Sequence, residues 1–152
     1  MIEWQWAQLK DLSPLAVHEM YRLRQAVFVL EQTCLYPDID EEDLSAHHLL
    51  GWQNKTLVAY ARVLAPGIKY AEPAMGRVLT ANTSRRSGNG KKLVSEAIKR
   101  CERAFPGTGL RISAQVYLIA FYQGFGFNVV GEPYDEDGIP HIEMVRVTQS
   151  GM

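Results

Sequence analysis

Arg85-Arg86-Ser87-Gly88-Asn89-Gly90-Lys91-Lys92 lies between a short apolar run, Met75-Gly76-Arg77-Val78-Leu79-Thr80, and a segment whose apolar residues Leu93, Val94, Ala97, Ile98 and Cys101 recur at helical spacing. The stretch is therefore a glycine-rich, basic turn leading from a strand into a helix N-terminus. The first turn of a helix leaves backbone N–H groups without partners, and the aligned peptide dipoles put about half a positive charge there. Glycines admit close approach of a ligand, and the arginines and lysines add charge. Such a turn suits a phosphorylated ligand.

Outward from this turn, the pattern predicts a chain of alternating elements. Ile2, Trp4 and Trp6 alternate with polar residues, as in a strand. Ser13-Pro14 reads as N-cap and first helical residue, opening a helix that runs to about Val29 or Leu30 with Leu15, Met20, Leu23, Val27 and Leu30 on its apolar side. An irregular acidic stretch follows, Tyr36-Pro37-Asp38-Ile39-Asp40-Glu41-Glu42-Asp43, expected as a solvated loop or as a docking patch for a cationic amine. His47 to Gln53 and Thr56 to Leu64 read as strands joined by the two-residue turn Asn54-Lys55. The next strand is expected over Ala74 to Ala81. The helix after the glycine-rich turn is stopped by Pro106-Gly107. Leu110 to Gln115 reads as a buried strand, and Leu118 to Phe125 as a short helix ended by Gly126. Asn128 to Tyr134 and Ile139 to Val147 read as the last two strands. The order β-α-β-β-β-α-β-α-β-β predicts an α+β fold, one domain over residues 1–152 with a mixed, largely antiparallel sheet and helices packed on it.

Composition narrows the function classes. With 152 residues, the chain can bury an ordinary core, and 47% hydrophobic and 22% charged residues are normal for a soluble domain. A formal net charge of −1 argues against general nucleic-acid binding. Cys34 and Cys101 form neither a disulfide framework nor a metal-ligand cluster. Cys101 reads as core and Cys34 as a loop thiol. The N-terminal Met1-Ile2-Glu3-Trp4-Gln5-Trp6 lacks the pattern of a secretory signal, and no run approaches the roughly 20 apolar residues of a membrane span. The expectation is a cytoplasmic protein with no membrane or metal partner, and a homodimer as the default assembly.

Two glycine-containing segments, Arg85-x-x-Gly88-x-Gly90 and Phe121-Tyr122-Gln123-Gly124-Phe125-Gly126-Phe127, lie about one helix and one strand apart. This pair resembles the GCN5-related N-acetyltransferase (GNAT) family, whose acetyl-CoA pyrophosphate loop is written Q/R-x-x-G-x-G/A and whose fifth strand is followed by Y-x-x-x-G-F. Further segments are similar to the ElaA-like branch of that family: Arg24-x-x-Val27-Phe28-Val29-x-Glu31-Gln32, Tyr36-Pro37-Asp38-Ile39-Asp40, Tyr60-Ala61-Arg62-Val63, Gly76-Arg77-Val78 and Asp137-Gly138-Ile139-Pro140-His141-Ile142. The resemblance implies a GNAT-like domain with helices on both sheet faces and a splay between the fourth and fifth strands.

The resemblance also implies an acetyl-CoA-dependent N-acetyltransferase acting on a primary amine of a small molecule or peptide. Arg85, Arg86, Ser87, Gly88, Asn89, Gly90 and Lys91 would hold the pyrophosphate, and Val78, Leu79 and Thr80 the pantetheine arm. Gln115 stands where the family usually has an asparagine. Tyr122 would protonate the leaving thiolate, since a phenol is protonated at neutral pH. Arg62, Arg77, Glu31 and His48 are candidates for the acceptor side, the two arginines for an anionic group. Glu31, Asp38, Asp40, His47, His48, Glu72 and His141 are candidate bases that spacing does not separate, and His141, after a proline in a strand, is expected to be structural. An acyl-CoA-binding sensor without turnover is the alternative from another class. A nucleotide-binding module is disfavoured because neither G-x-x-x-x-G-K-[ST] nor G-x-G-x-x-G is present.

Overall fold

A computed structural model describes residues 1–32, 37–82 and 87–148. Seven strands form one sheet in the order β1-β2-β3-β4-β5-β7-β6. They are β1 (Glu3–Gln8), β2 (His47–Gln53), β3 (Thr56–Leu64), β4 (Ala74–Thr80), β5 (Leu110–Gln115), β6 (Phe127–Glu136) and β7 (Ile139–Arg146). All neighbours are antiparallel except β4 and β5. The β2–β3 turn is the expected one: Asn54 and Lys55 both adopt positive φ, 52° and 65°, the geometry that matches the twist of a two-residue hairpin.

Helices cover both faces. On one face α1 (Pro14–Arg24) packs Ala16 and Met20 against Leu50, Leu57, Tyr60 and Leu79. Its N-cap is Ser13, whose hydroxyl accepts from Ala16 N at 3.1 Å. On the other face α2 (Asn89–Ala104) buries Leu93, Val94, Ala97, Ile98 and Cys101, the predicted stripe, with Leu49, Ala59, Ala61, Val63 and Ile112. A short α3 (Ile119–Gln123) joins that layer through Tyr122. Among the described residues no helix is long and apolar enough to cross a membrane.

Two expectations are corrected. The first helix continues to Glu31, but over Gln25–Glu31 it widens into π-helical turns, with Gln32 N bonded to Val27 O five residues back. Each π turn delays the helical phase by about one residue. Val27 is therefore the buried residue of this stretch, while Leu30, expected on the apolar side, is exposed. Leu15, in the first turn, is exposed too. The second correction concerns the acidic stretch, expected as a solvated loop or docking patch. It folds inward: Asp38 and Asp43 are buried, and Asp40 caps a 3₁₀ turn over Glu41–Leu44 through a reciprocal pair of bonds with Asp43.

Candidate functional site

The parallel pairing of β4 and β5 comprises Ala74 with Arg111 and Met75 with Ile112. Beyond it the two strands diverge, and a cleft of about 180 Å³ opens between them, lined by Gly76, Arg77 and Val78 on one side and by Ser113, Ala114 and Gln115 on the other. Phe28 of the π segment and Gln32 at its end, Arg62 and Leu64 of β3, Lys69 and Tyr70 before β4, Tyr122 of α3, and Glu136, Asp137, Ile139 and His141 of the β6–β7 hairpin also line it. A strand edge without a strand partner offers amide groups to a thread-like ligand bearing amides of its own.

A bulge shapes the β4 wall. Tyr60 pairs with Leu79 but Arg62 pairs with Gly76, so Arg77 and Val78 stand opposite Ala61 alone. Arg77 takes a φ of +50°, a left-handed conformation that costs an L side chain about 1–2 kcal/mol. Its guanidinium compensates: Nε donates to Asp38 Oδ1 at 2.9 Å, and Nη2 donates to Asp38 O at 3.0 Å and to Asp40 Oδ2 at 3.3 Å.

These bonds belong to a larger buried network on the α1 face. Arg24, with no exposed surface, donates to Asp38 Oδ2 at 3.0 Å and to both Asp43 oxygens at 2.8 and 3.2 Å. Arg62 donates to Asp40, Asp43 and Glu42 at 2.7, 3.1 and 3.4 Å. His48 is buried, with Nδ1 bonded to the Tyr60 hydroxyl at 2.6 Å and Nε2 to Asp43 O at 2.9 Å. Since that carbonyl can only accept, Nε2 carries the proton and Nδ1 accepts from the phenol. Burial is the main force on the His48 imidazole and holds its pKa below the usual value, while burial raises Tyr60.

Tyr122 is 6% exposed and lies edge-on to Phe121 and Phe127, at centroid distances of 5.1 and 5.7 Å. Burial pushes its hydroxyl up to about 12, so it holds its proton at neutral pH and can donate. Gln115 ends β5 directly opposite His141 on β7. The glycine-rich turn enters α2 with Gly88 as N-cap at φ +82°, a left-handed conformation natural to glycine. Lys91 and Lys92 are exposed, Gly90 is half-buried and Asn89 is buried. Arg85 and Arg86 lie outside the described residues. On the β4 side Val78 lines the cleft, Leu79 is buried toward α1, and Thr80 is half-buried.

The acceptor candidates are placed differently from one another. Arg77 lines the cleft while bonded to Asp38 and Asp40. Arg62 reaches the cleft wall with its guanidinium bound by the acidic stretch. His48 has both ring nitrogens bonded in the interior network, and Glu31 is exposed at the end of the π segment. Of the candidate bases, Glu72 is paired with Arg111 and His47 stacks on Trp6 on the α2 face. His141 lines the cleft, as do Glu136 at the end of β6 and Asp137 in the β6–β7 turn.

A family model described as an acetyltransferase (GNAT) domain matches residues 8–148. The chain belongs to the GNAT acetyltransferase family. It is an acyltransferase of the GNAT type. It is 43% identical to protein ElaA of Escherichia coli, over 96% of this chain and 97% of that one. A UPF0039 protein of Synechocystis is 49% identical over 99% of both chains. Among solved structures, an acyl-CoA N-acyltransferase from Pseudomonas aeruginosa superimposes with a TM-score of 0.93 at 37% identity, over 97% of this chain and all of that one. The divergence of β4 from β5 beyond Met75 and Ile112 agrees with the splay that the resemblance to this family implied.

Proposed function

We propose that this GNAT protein transfers an acetyl group from acetyl-CoA directly to a primary amine of a small molecule or peptide. The observation that carries this reading is the β4–β5 cleft, which has a protonated, buried phenol on its wall and the glycine-rich N-terminus of α2 after β4. In this reading, the loop from Arg85 to Lys91 holds the pyrophosphate at the helix N-terminus, with Ser87, Gly88, Asn89 and Gly90 supplying backbone groups. Val78, Leu79 and Thr80 on one side and Gln115 on the other pair with the pantetheine amides. The amine attacks the thioester carbonyl, which β4 N–H groups polarise, and Tyr122 donates its proton to the departing thiolate. One solved relative is an acyl-CoA N-acyltransferase, and the acetyltransferase family description supports acetyl as the group transferred. The same reading assigns the enzyme to the cytoplasm as a single domain over 1–152.

The bonds within the buried network argue for Arg62 and His48 as scaffold, with Arg77 positioning the β4 bulge. The test is calorimetry with acetyl-CoA followed by a screen of amines, including polyamines, amino acids and peptides. Saturable binding with acetyl transfer to one amine class is the expected result. No binding at high micromolar acetyl-CoA overturns the proposal.

A further inference from the structure

We infer that His141 is the general base of this enzyme, taking the acceptor's proton on Nε2, and that the acidic wall beside it selects a cationic amine; the inference rests on the acetyl-transfer reading above. His141 Nδ1 lies 2.8 Å from Ile139 O. A carbonyl oxygen only accepts, so Nδ1 carries the proton and the neutral ring keeps its lone pair on Nε2. The ring is held against Tyr134, 6.3 Å between centroids and 27° from parallel. The proline before it fixes the backbone at the start of β7. These contacts orient the ring, so His141, which its place after a proline in a strand suggests is structural, is positioned for chemistry.

The groups around the ring fit proton transfer and its disposal. Glu136 Oε2 lies 4.0 Å from Nε2, close enough to stabilise an imidazolium. Ser113 Oγ donates to the same Glu136 oxygen at 3.0 Å, and the Tyr134 hydroxyl bonds Ser113 Oγ in turn. Glu136 is about half exposed, so the chain leads to solvent. Gln115 faces the ring from β5, and Asp137 adds a carboxylate from the turn. Glu143, two residues along β7, is occupied by Arg111 at 2.7 Å. The cations on the cleft wall nearest the bulge, Arg62 and Arg77, are bonded to the acidic stretch, and among the described residues Lys69 is the remaining cation of the wall. Carboxylates therefore dominate the His141 end, which favours an ammonium substrate.

The step balances as follows. The bound ammonium gives one proton to His141 Nε2, and the freed lone pair forms the C–N bond at the thioester carbonyl. Collapse of the tetrahedral adduct breaks the C–S bond, leaving the electron pair on sulfur, which takes the Tyr122 proton. The adduct nitrogen releases its second proton to solvent, solvent reprotonates Tyr122, and His141 gives up its Nε2 proton to solvent past Glu136, for a net release of one proton per turnover.

The experiment compares wild type with His141→Gln and Glu136→Gln, using the best acceptor from the amine screen. For His141→Gln, kcat at pH 7 is expected to fall at least about 100-fold. Acetyl-CoA affinity stays within about twofold. Activity recovers toward wild type as pH approaches the amine's own pKa, near 10 for a lysine-like acceptor. Glu136→Gln is expected to raise acceptor KM severalfold for a cationic amine while leaving acetyl-CoA affinity within about twofold. A pH profile and kcat unchanged in His141→Gln overturn the inference alone. If His141→Gln does not fold, an acceptor KM unchanged in Glu136→Gln overturns it. Wild type that binds acetyl-CoA but acetylates nothing overturns the parent reading and this inference with it.

Discussion

Arg24 grips Asp43 through both carboxylate oxygens, at 2.8 and 3.2 Å, with neither side chain exposed to any appreciable degree. Nineteen residues separate the two, and the bond ties the last turn of α1 to the loop that enters β2. Burial pushes the Asp43 carboxyl up, yet the Arg24 guanidinium, the Asp40 N–H and Arg62 together hold it below the usual carboxylate range. An ion pair closed off from water is far more sensitive to losing one partner than to losing both. Replacing Asp43 by Ala leaves two guanidiniums under-compensated, so a loss of about 3–5 kcal/mol in urea unfolding is expected. A carboxyl held low in the native state stabilises above its unfolded pKa and loses that contribution as pH falls below about 4. The urea midpoint of Asp43→Ala should accordingly fall less than that of wild type as pH drops below about 4.

His48 titrates with the same sign in a different window. Its native pKa lies below the unfolded value because burial favours the neutral ring. Stability is therefore full above about pH 6.5 and falls as pH drops and the unfolded chain takes up the proton first. His48→Gln is expected to flatten this dependence between about pH 6.5 and 5 without abolishing it, since burial also lowers His47. Urea midpoints at closely spaced pH values measure the difference.

Arg77 combines a strained backbone with a strong side-chain anchor. Arg77→Ala keeps the strain and loses the bonds to Asp38 and Asp40, whereas Arg77→Gly loses the bonds but relaxes the φ of +50°. Glycine is expected to be the more stable of the two by about 1 kcal/mol, by thermal unfolding. If the bulge positions β4 for the acyl donor, both variants raise acetyl-CoA KM more than acceptor KM. An anionic-acceptor role would show the reverse.

Tyr122→Phe preserves the edge-on packing with Phe121 and Phe127 and removes the hydroxyl alone. A drop in kcat of about 100-fold or more, with acetyl-CoA affinity within about twofold, is expected for a general acid. Because burial raises this hydroxyl to about 12, wild-type activity should show no loss from tyrosine ionisation up to about pH 10. A kcat equal to wild type would remove Tyr122 from the chemistry.

Local patterns carried most of the fold. Alternation in β1, the Asn54-Lys55 turn, Ser13-Pro14 as a helix start and the α2 stripe each depend on residues within a few positions of one another, and local sterics and periodicity suffice to read them. The π segment escaped because its widened bonding shifts the phase that periodicity assumes, which turned Leu30 outward. Spacing could likewise not rank seven candidate bases, since Asp38, Asp40, His48 and Glu72 are each occupied by partners that lie far along the chain or that only the folded loop brings near.

The order of elements, the loop at the start of α2 and the family can all be read along the chain, because they rest on contiguous residues and their spacing. What the charges do emerges on folding. Asp38, Asp40 and Asp43 looked like a surface patch, and Arg62 and Arg77 looked free to bind an acceptor, until folding brought α1, the acidic stretch, β3 and β4 onto one face. There each charge is held by its opposite. Desolvation makes an unpaired charge so unfavourable that long-range pairing overrides any reading from local sequence.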